Sequence, residues 1–401
     1  MSGRVRFAAG MLSLLLTAPA WAAEEPKESF EPLSVYDERV APEPDFAERG
    51  GSCAPGFAWG TSEASGIALR AASNQGVSSV NDLAFFDDGS GMALYAAGQF
   101  HTASGAWSYH VARFDGASWK PLGTGFSSGV ASLAVYDDGN GARLYAAGGF
   151  ASSSTGYGLD GIARWNGTDW ERVGLGFNAA VADLAVVDFG SGPELVAAGS
   201  FTRADYGTGW HGQAIWTPVT GFARWDGERW QPVPIVLPGG EVPYFLAALP
   251  EGGRQVLAIG SDRGVYRFEG STVSQLLAVP AGSAPSGLVV ADDGGGPGVF
   301  TGVGNELRRY RAGSWTVLGH FDQPVKALSV VGWAGPGPLY ASGAFSNVDG
   351  VAATNLAAWT GGGWVAAGAG LAQPPTVLAY LDDGSGAALT TLARRLGEPA
   401  L

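Results

Sequence analysis

One cysteine, Cys53, stands in 401 residues. No intramolecular disulfide can form, and no cysteine-based metal knuckle. Histidine is nearly as scarce: His101, His110, His211 and His320 complete the set of four. None has metal-ligand spacing such as H-E-x-x-H, which excludes the common zinc-hydrolase motifs. Lysine occurs three times, at Lys27, Lys120 and Lys326, and the formal net charge is −14. A nucleic acid or an anionic membrane surface needs a basic footprint that this chain does not have. After the first 20 residues no apolar run is long enough to span a bilayer without Gly or charge. A G-x-S-x-G elbow with a workable triad is missing too. So is a Cys–Tyr pair for a copper-radical oxidase, since Cys53 precedes the first full repeat.

The two ends of the N-terminal segment differ in chemistry. Arg4 and Arg6 precede the apolar stretch Phe7 to Ala20, and Ala20-Trp21-Ala22 is an A-x-A cleavage pattern. Residues 1–22 therefore read as a secretory signal peptide, and the mature protein is expected to be exported: secreted, periplasmic or on the cell surface. Residues 23–52 (EEPKESFEPL, APEPDFAERGG) are acidic and hold four prolines, the composition of a disordered or extended leader. The remaining residues, 53–401, are expected to form one all-β domain.

What this chain has in abundance is glycine, 64 residues, and a repeated sentence. Val80 onward reads VNDLAFFDDGSGMALYAAGQF, Val130 onward VASLAVYDDGNGARLYAAGGF, and Val181 onward VADLAVVDFGSGPELVAAGSF. Self-similarity at a period of about 50 marks a repeat architecture. Each copy ends in an aromatic–turn–aromatic signature. The pairs are Phe114/Trp119, Trp165/Trp170, Trp225/Trp230, Phe268/Val273, Tyr310/Trp315 and Trp359/Trp364. Asp-Gly and Asn-Gly between the members favour two-residue hairpins, where both residues take positive φ. Two more strands precede each hairpin, joined by Asp-Asp-Gly-x-Gly turns. The expected unit is a four-stranded antiparallel blade, strands a to d, of a β-propeller. A last copy has strands a and b near Val377–Asp382 and Ala387–Leu392, then stops. Residues 56–72 could supply its missing strands, so an N-terminal strand is expected to close the ring. Seven blades are favoured and six is the alternative.

The glycines after strand b, the aromatic on strand c and the Trp on strand d resemble Kelch-type propellers. The fuller wording, LYAAGGF…IARWNG…DW, resembles the repeat of fungal cortical cell-polarity marker proteins and of uncharacterised secreted bacterial proteins. The resemblance spans about residues 53–401 and is weakest at 242–273. It implies the fold and carries over no catalytic residues.

The chemical candidates are few. Aromatics at one register in every blade, and Arg113, Arg164 and Arg224 beside them, are expected to pack blades together. The Asp-Asp-Gly turns, as at Asp137 and Asp138, are a weak candidate for Ca²⁺, but lack the EF-hand spacing; no other cofactor is expected. The better signal is where the repeat is interrupted. The b–c connection of the third copy, Thr202 to Gly221, carries Tyr206, Trp210, His211 and Trp216, none required by the repeat. Trp107 and Tyr157 lie on the equivalent loops of the first two copies. Loops raised on a rigid scaffold are where recognition concentrates, so these six residues are the candidate ligand-binding set. A monomeric, non-enzymatic scaffold binding a protein or cell-surface glycan is expected. Two alternatives stay open: a glycan-active enzyme using Asp205 and Glu241 as acid and base, and a structural surface or matrix module.

Overall fold

Runs of Val, Leu, Ala and aromatic residues broken by Gly–Asp turns form antiparallel strands throughout this computed structural model. It describes residues 34–39, 79–103, 106–114, 118–208, 214–280, 282–330, 338–367, 374–382 and 387–393. After Ser34–Arg39 (β1), the first copy holds Ser79–Asp87 (β2), Met92–Gln99 (β3), the small hairpin Thr102–Ala103 (β4) and Ala106–Trp107 (β5), then Val111–Phe114 (β6) and Trp119–Pro121 (β7). The second is Val130–Asp137 (β8), Ala142–Gly148 (β9), Ile162–Trp165 (β10) and Trp170–Arg172 (β11). The third is Val181–Asp188 (β12), Pro193–Gly199 (β13), the hairpin Arg203–Thr208 (β14) and Ala214–Pro218 (β15), then Phe222–Trp225 (β16) and Trp230–Pro232 (β17). The fourth is Pro243–Glu251 (β18), Arg254–Ser261 (β19), Gly264–Glu269 (β20) and Thr272–Ala278 (β21). The fifth is Val289–Asp292 (β22), Pro297–Val303 (β23), Glu306–Arg311 (β24) and Ser314–His320 (β25). The sixth is Val325–Val330 (β26), Leu339–Gly343 (β27), the hairpin Asn347–Val348 (β28) and Val351–Ala352 (β29), then Leu356–Trp359 (β30) and Trp364–Ala366 (β31). Pro375–Asp382 (β32) and Ala387–Ala393 (β33) follow.

These strands make a β-propeller with six four-stranded blades among the described residues, each in the order a-b-c-d. That is the alternative count, not the favoured seven. A three-stranded sheet, β1-β33-β32, holds the place between the sixth and first blades. Among the described residues the last copy brings two strands of its own, and its third comes from β1. The register runs from Ser34↔Ala393 to Arg39↔Ala388. The closing N-terminal strand is thus 34–39, inside the segment read as an unstructured leader. Residues 56–72, first expected in that role, lie outside the described residues, as do residues 1–22 and Cys53.

The inner strands β2, β8, β12, β18, β22, β26 and β32 lie side by side in that order, and β32 returns to β2. Successive side chains on a strand point to opposite faces, so each sheet feeds two interfaces. Val377 of β32 packs into the cluster of the first blade, and its neighbour Leu378 into that of the sixth. Among the described residues seven apolar clusters result, one at each junction between neighbouring sheets. The core is therefore a ring of slabs, each shared by two sheets.

Each aromatic pair named from the sequence is a cross-strand pair, from Phe114↔Trp119 to Trp359↔Trp364. The strand d indoles also stitch blades together. Trp170 donates to the Leu122 carbonyl (3.2 Å), Trp230 to Val173 (3.0 Å), Trp315 to Leu276 (2.7 Å) and Trp364 to Leu318 (2.8 Å). Leu122 and Val173 lie just past strand d of the preceding blade, whereas Leu276 and Leu318 lie within it, towards its end. A second stitch arises from a bulge near the start of strand a. The shift at Val80/Asp82 lets Asp82 accept from the Leu83 amide (2.7 Å) and from Leu133 of the next blade (2.6 Å). Asp183 does the same with Leu184 (2.8 Å) and Leu246 (2.7 Å).

Candidate functional site

The two faces of the ring are built differently. On the a–b face the formulaic turns use their own carboxylates. Asp137 Oδ1 accepts from the Gly139 and Gly141 amides at 2.9 and 3.0 Å, and both glycines have φ near the value only glycine adopts freely, 99° and 96°. Its neighbour Asp138 accepts from Asn140 at one oxygen, and from Arg164 (2.6 Å) and the Tyr145 hydroxyl (3.3 Å) at the other. Burial opposes ionisation of Asp138, but the Asn140 hydrogen bonds and the Arg164 charge outweigh it and hold its pKa below the usual range. The strand c arginine is thus tied to the turn within its own blade. In the fifth blade Asp293 is still more loaded, accepting from Arg309 (2.6 Å), from Arg311 and from the indole of Trp359 in the next blade (3.1 Å). Among the described residues no group of three or more His, Cys, Asp or Glu side chains is arranged to hold a metal.

The opposite face carries the b–c connections. The insertion at 202–221 is a β-hairpin, β14–β15, with register Arg203↔Pro218 to Thr208↔Ala214 and a bulge between Asp205 and Gly207. Smaller hairpins rise from the first blade (β4–β5) and the sixth (β28–β29), and in the second Ser152 bridges Gly158. The bases in the second, third and sixth blades are clipped to the preceding blade through bridges Phe126↔Ser153, Phe177↔Ala204 and Phe321↔Val348. The same phenylalanines build an aromatic clamp. Phe177 stacks on Phe201 (4.2 Å between ring centres) and meets Trp230 at 4.7 Å. Phe126, Phe150 and Trp170 repeat this one blade earlier, and Phe321, Phe345 and Trp364 in the sixth.

The candidate residues fall as follows. Trp216 lies on β15 and is partly exposed, beside Ile215 at 42%. The backbone of Tyr206 is in β14, opposite the same strand. Trp210 and His211 lie outside the described residues. Trp107 ends β5 and Tyr157 tops the second blade's loop, 58% and 54% exposed. Trp107 stacks on Tyr109, 5.7 Å away with an angle of 19° between rings. Tyr109, which the sequence did not single out, is thereby part of this surface, as is Val236 (66% exposed) on the connection from β17 to β18. Of the alternative acid–base pair, Glu241 is engaged by the hydroxyls of Ser261 (2.5 Å) and Tyr266 (2.9 Å), and Asp205 sits in β14. Burial, together with that Glu241 contact, pushes the Tyr266 hydroxyl up to about 12.

No protein-family model matches the chain, and no curated protein sequence matches it significantly. Solved structures do resemble it. A chain from the crystal structure of BBS1N in complex with ARL6DN superposes with a TM-score of 0.50 at 14% identity, over 79% of this chain and 92% of that one. The extracellular domain of BT4673 from B. thetaiotaomicron gives a TM-score of 0.46 at 15% identity, over 78% of this chain and 38% of that one. At such identity the first likeness bears on the fold alone, and the fold is the propeller.

Proposed function

We propose that this chain is an exported, non-enzymatic propeller that binds a protein partner, as a monomer, through its hairpin face. One observation carries the reading. Among the described residues, Trp107, Tyr157, Ile215 and Val236 are the large exposed apolar side chains of that face, and they sit on or beside three consecutive blades. The repeat requires none of them, and exposed apolar groups gathered on one face mark interaction surfaces. A few Trp, Tyr and similar anchors typically carry most of the binding energy. The BBS1N–ARL6DN neighbour, a propeller-like chain in a protein complex, favours a protein over a glycan as the partner. The signal-like residues 1–22 support export, and the repeat wording supports a Kelch-like lineage.

The test is capture of partners from the envelope and secreted fractions of the source by the mature chain. It is repeated with β14–β15 replaced by a short Gly-Ser link, and each fraction is treated with protease or with glycosidases beforehand. A partner held by the intact ring, lost on trimming and destroyed by protease is expected. Retention by the trimmed ring removes this face from the reading. Sensitivity to glycosidases alone replaces the protein by a polysaccharide.

A further inference from the structure

The base of the first blade's hairpin holds two histidines and a serine where the second blade holds small or apolar residues. Backbone hydrogen bonds align the positions without ambiguity. The His110 carbonyl accepts from Gly98 as Gly161 does from Gly148, Gly221 from Gly199 and Asn355 from Gly343. The His101 carbonyl accepts from Ser108 and Tyr109 as that of Ala151 does from Leu159 and Asp160. Three positions that are Ala151, Leu159 and Gly161 in the second blade are therefore His101, Ser108 and His110 in the first.

Each replacement is costly on its face. His110 has φ 77°, where the equivalent Gly161, Gly221 and Asn355 have 84°, 82° and 64°. A residue with a Cβ is uncommon there, and such outliers gather at functional sites. His110 and Ser108 are 5% and 2% exposed. The Nδ1 atoms of His101 and His110 and the Ser108 hydroxyl are buried and find no hydrogen-bond partner among the described residues. A buried polar group left unmade costs about 1–3 kcal/mol, so three together call for a ligand.

The two rings touch, their centres 4.6 Å apart and their planes at 64°. Imidazoles bound side by side to one metal at about 2.0–2.1 Å place their centres roughly 4.5–5 Å apart. We propose that His101 and His110 form a two-histidine site for a borderline divalent cation, Cu²⁺ or Zn²⁺, with the Ser108 hydroxyl beside it and water completing the shell. Neutral imidazole is the nitrogen ligand these ions prefer. The site would fix the loop that carries the Trp107–Tyr109 stack, and it stands whether or not the hairpin face binds a protein.

The experiment uses the untagged mature chain and Cu²⁺ or Zn²⁺ alone. Binding is followed by calorimetry, and the copper form by electron paramagnetic resonance. The variant His101→Ala/His110→Gly takes the residues of the second blade, so it is expected to fold with an unchanged or higher unfolding midpoint. One ion per chain is expected, with nitrogen hyperfine structure from two imidazoles. The variant should bind at least about tenfold more weakly, and His320→Ala should bind normally. Equal binding by the double variant, a copper spectrum with one nitrogen, or no uptake of either ion by the wild-type chain would each overturn the site.

Discussion

The second and third blades and the fourth and fifth solve one packing problem in two ways. In the former pair strand c has four residues and strand d three, and a long b–c connection bends over the preceding blade. In the latter pair Asp262-Arg263 and Gly304-Asn305 make two-residue turns, and strands c and d extend to six and seven residues. The clamp of two phenylalanines and a tryptophan accompanies the long connections. At the third-to-fourth junction aliphatic Val233, Ile235 and Leu237 and the edge-to-face pair Phe189–Phe268 fill the slab. There Val273 stands where other blades have Trp, and no indole crosses to the preceding carbonyl. A long connection thus gains a fixed base, because its second residue, Phe201 or Phe150, is part of the core. A short one gains a longer ladder of backbone hydrogen bonds. The lesson is that the hairpins are anchored at the base by the core itself.

Trp230→Ala attacks the clamped junction most directly. The side chain is fully buried, meets Phe177 and donates to the Val173 carbonyl. Its loss should cost about 3–5 kcal/mol, against about 1 kcal/mol for the half-buried Val273→Ala. Denaturant unfolding of both variants checks the contrast. Equal costs would mean that the clamp adds nothing to the ordinary burial of the fourth blade.

Two carboxylates sharpen the comparison through pH. Burial opposes ionisation of Asp293, but Arg311, Arg309 and the Trp359 indole more than offset it and lower its pKa. A lowered folded pKa contributes stability above the unfolded value, lost as pH falls through the folded one. Asp293→Asn should cost about 2–3 kcal/mol at neutral pH, more than Asp138→Asn with its single arginine, since it strands two guanidinium groups. The deficit should shrink as pH falls below about 4. Asp82 is predicted to slope the other way. Burial, and the nearby negative Asp183, raise its pKa against the pull of the Leu133 and Leu83 amides. A raised folded pKa gives stability that is complete below the unfolded value and lost as pH rises through the folded one. Asp82→Asn turns an NH₂ toward one of those amides, at a cost of about 1 kcal/mol. Its deficit should be greatest in acid and fall with rising pH. Unfolding midpoints between pH 3 and 8, on the scale of these carboxyl groups, separate the two signs; parallel slopes would refute the assignment for Asp82.

The period-two strands, the Asp-Gly turns and the cross-strand aromatic pairs were legible because every copy states them again. The closing strand was not. Ser34–Arg39 (SVYDER) carries none of the repeat's wording, and its place is set by pairing with β33, a contact some 350 residues away in sequence. The hairpin at 203–218 was read as an insertion but not as strands, since Tyr-Gly-Thr-Gly resembles a loop and its second strand, AIWTP, is short. His101 and His110 were visible as departures from the repeat. What the sequence could not reveal is that backbone bonds set them on one another, because the residues between them form a hairpin.

The smallest expected effect on stability carries the largest on recognition. Ile215→Ser lies at the exposed side of β15, away from the clamp at Phe201. A surface substitution of this kind changes stability by less than about 0.5 kcal/mol. If the hairpin face is the docking surface, the same change should weaken partner capture by tenfold or more, as anchors at interface centres do. Phe201→Ala should do the reverse at first sight, lowering stability by about 3–4 kcal/mol, while binding at low temperature falls only as far as the hairpin base loosens. Measuring unfolding and capture on both variants tests the division between base and tip. An Ile215→Ser protein that binds normally, beside a Phe201→Ala protein that does not, would place recognition in the base of the hairpin and make the clamp itself part of the site.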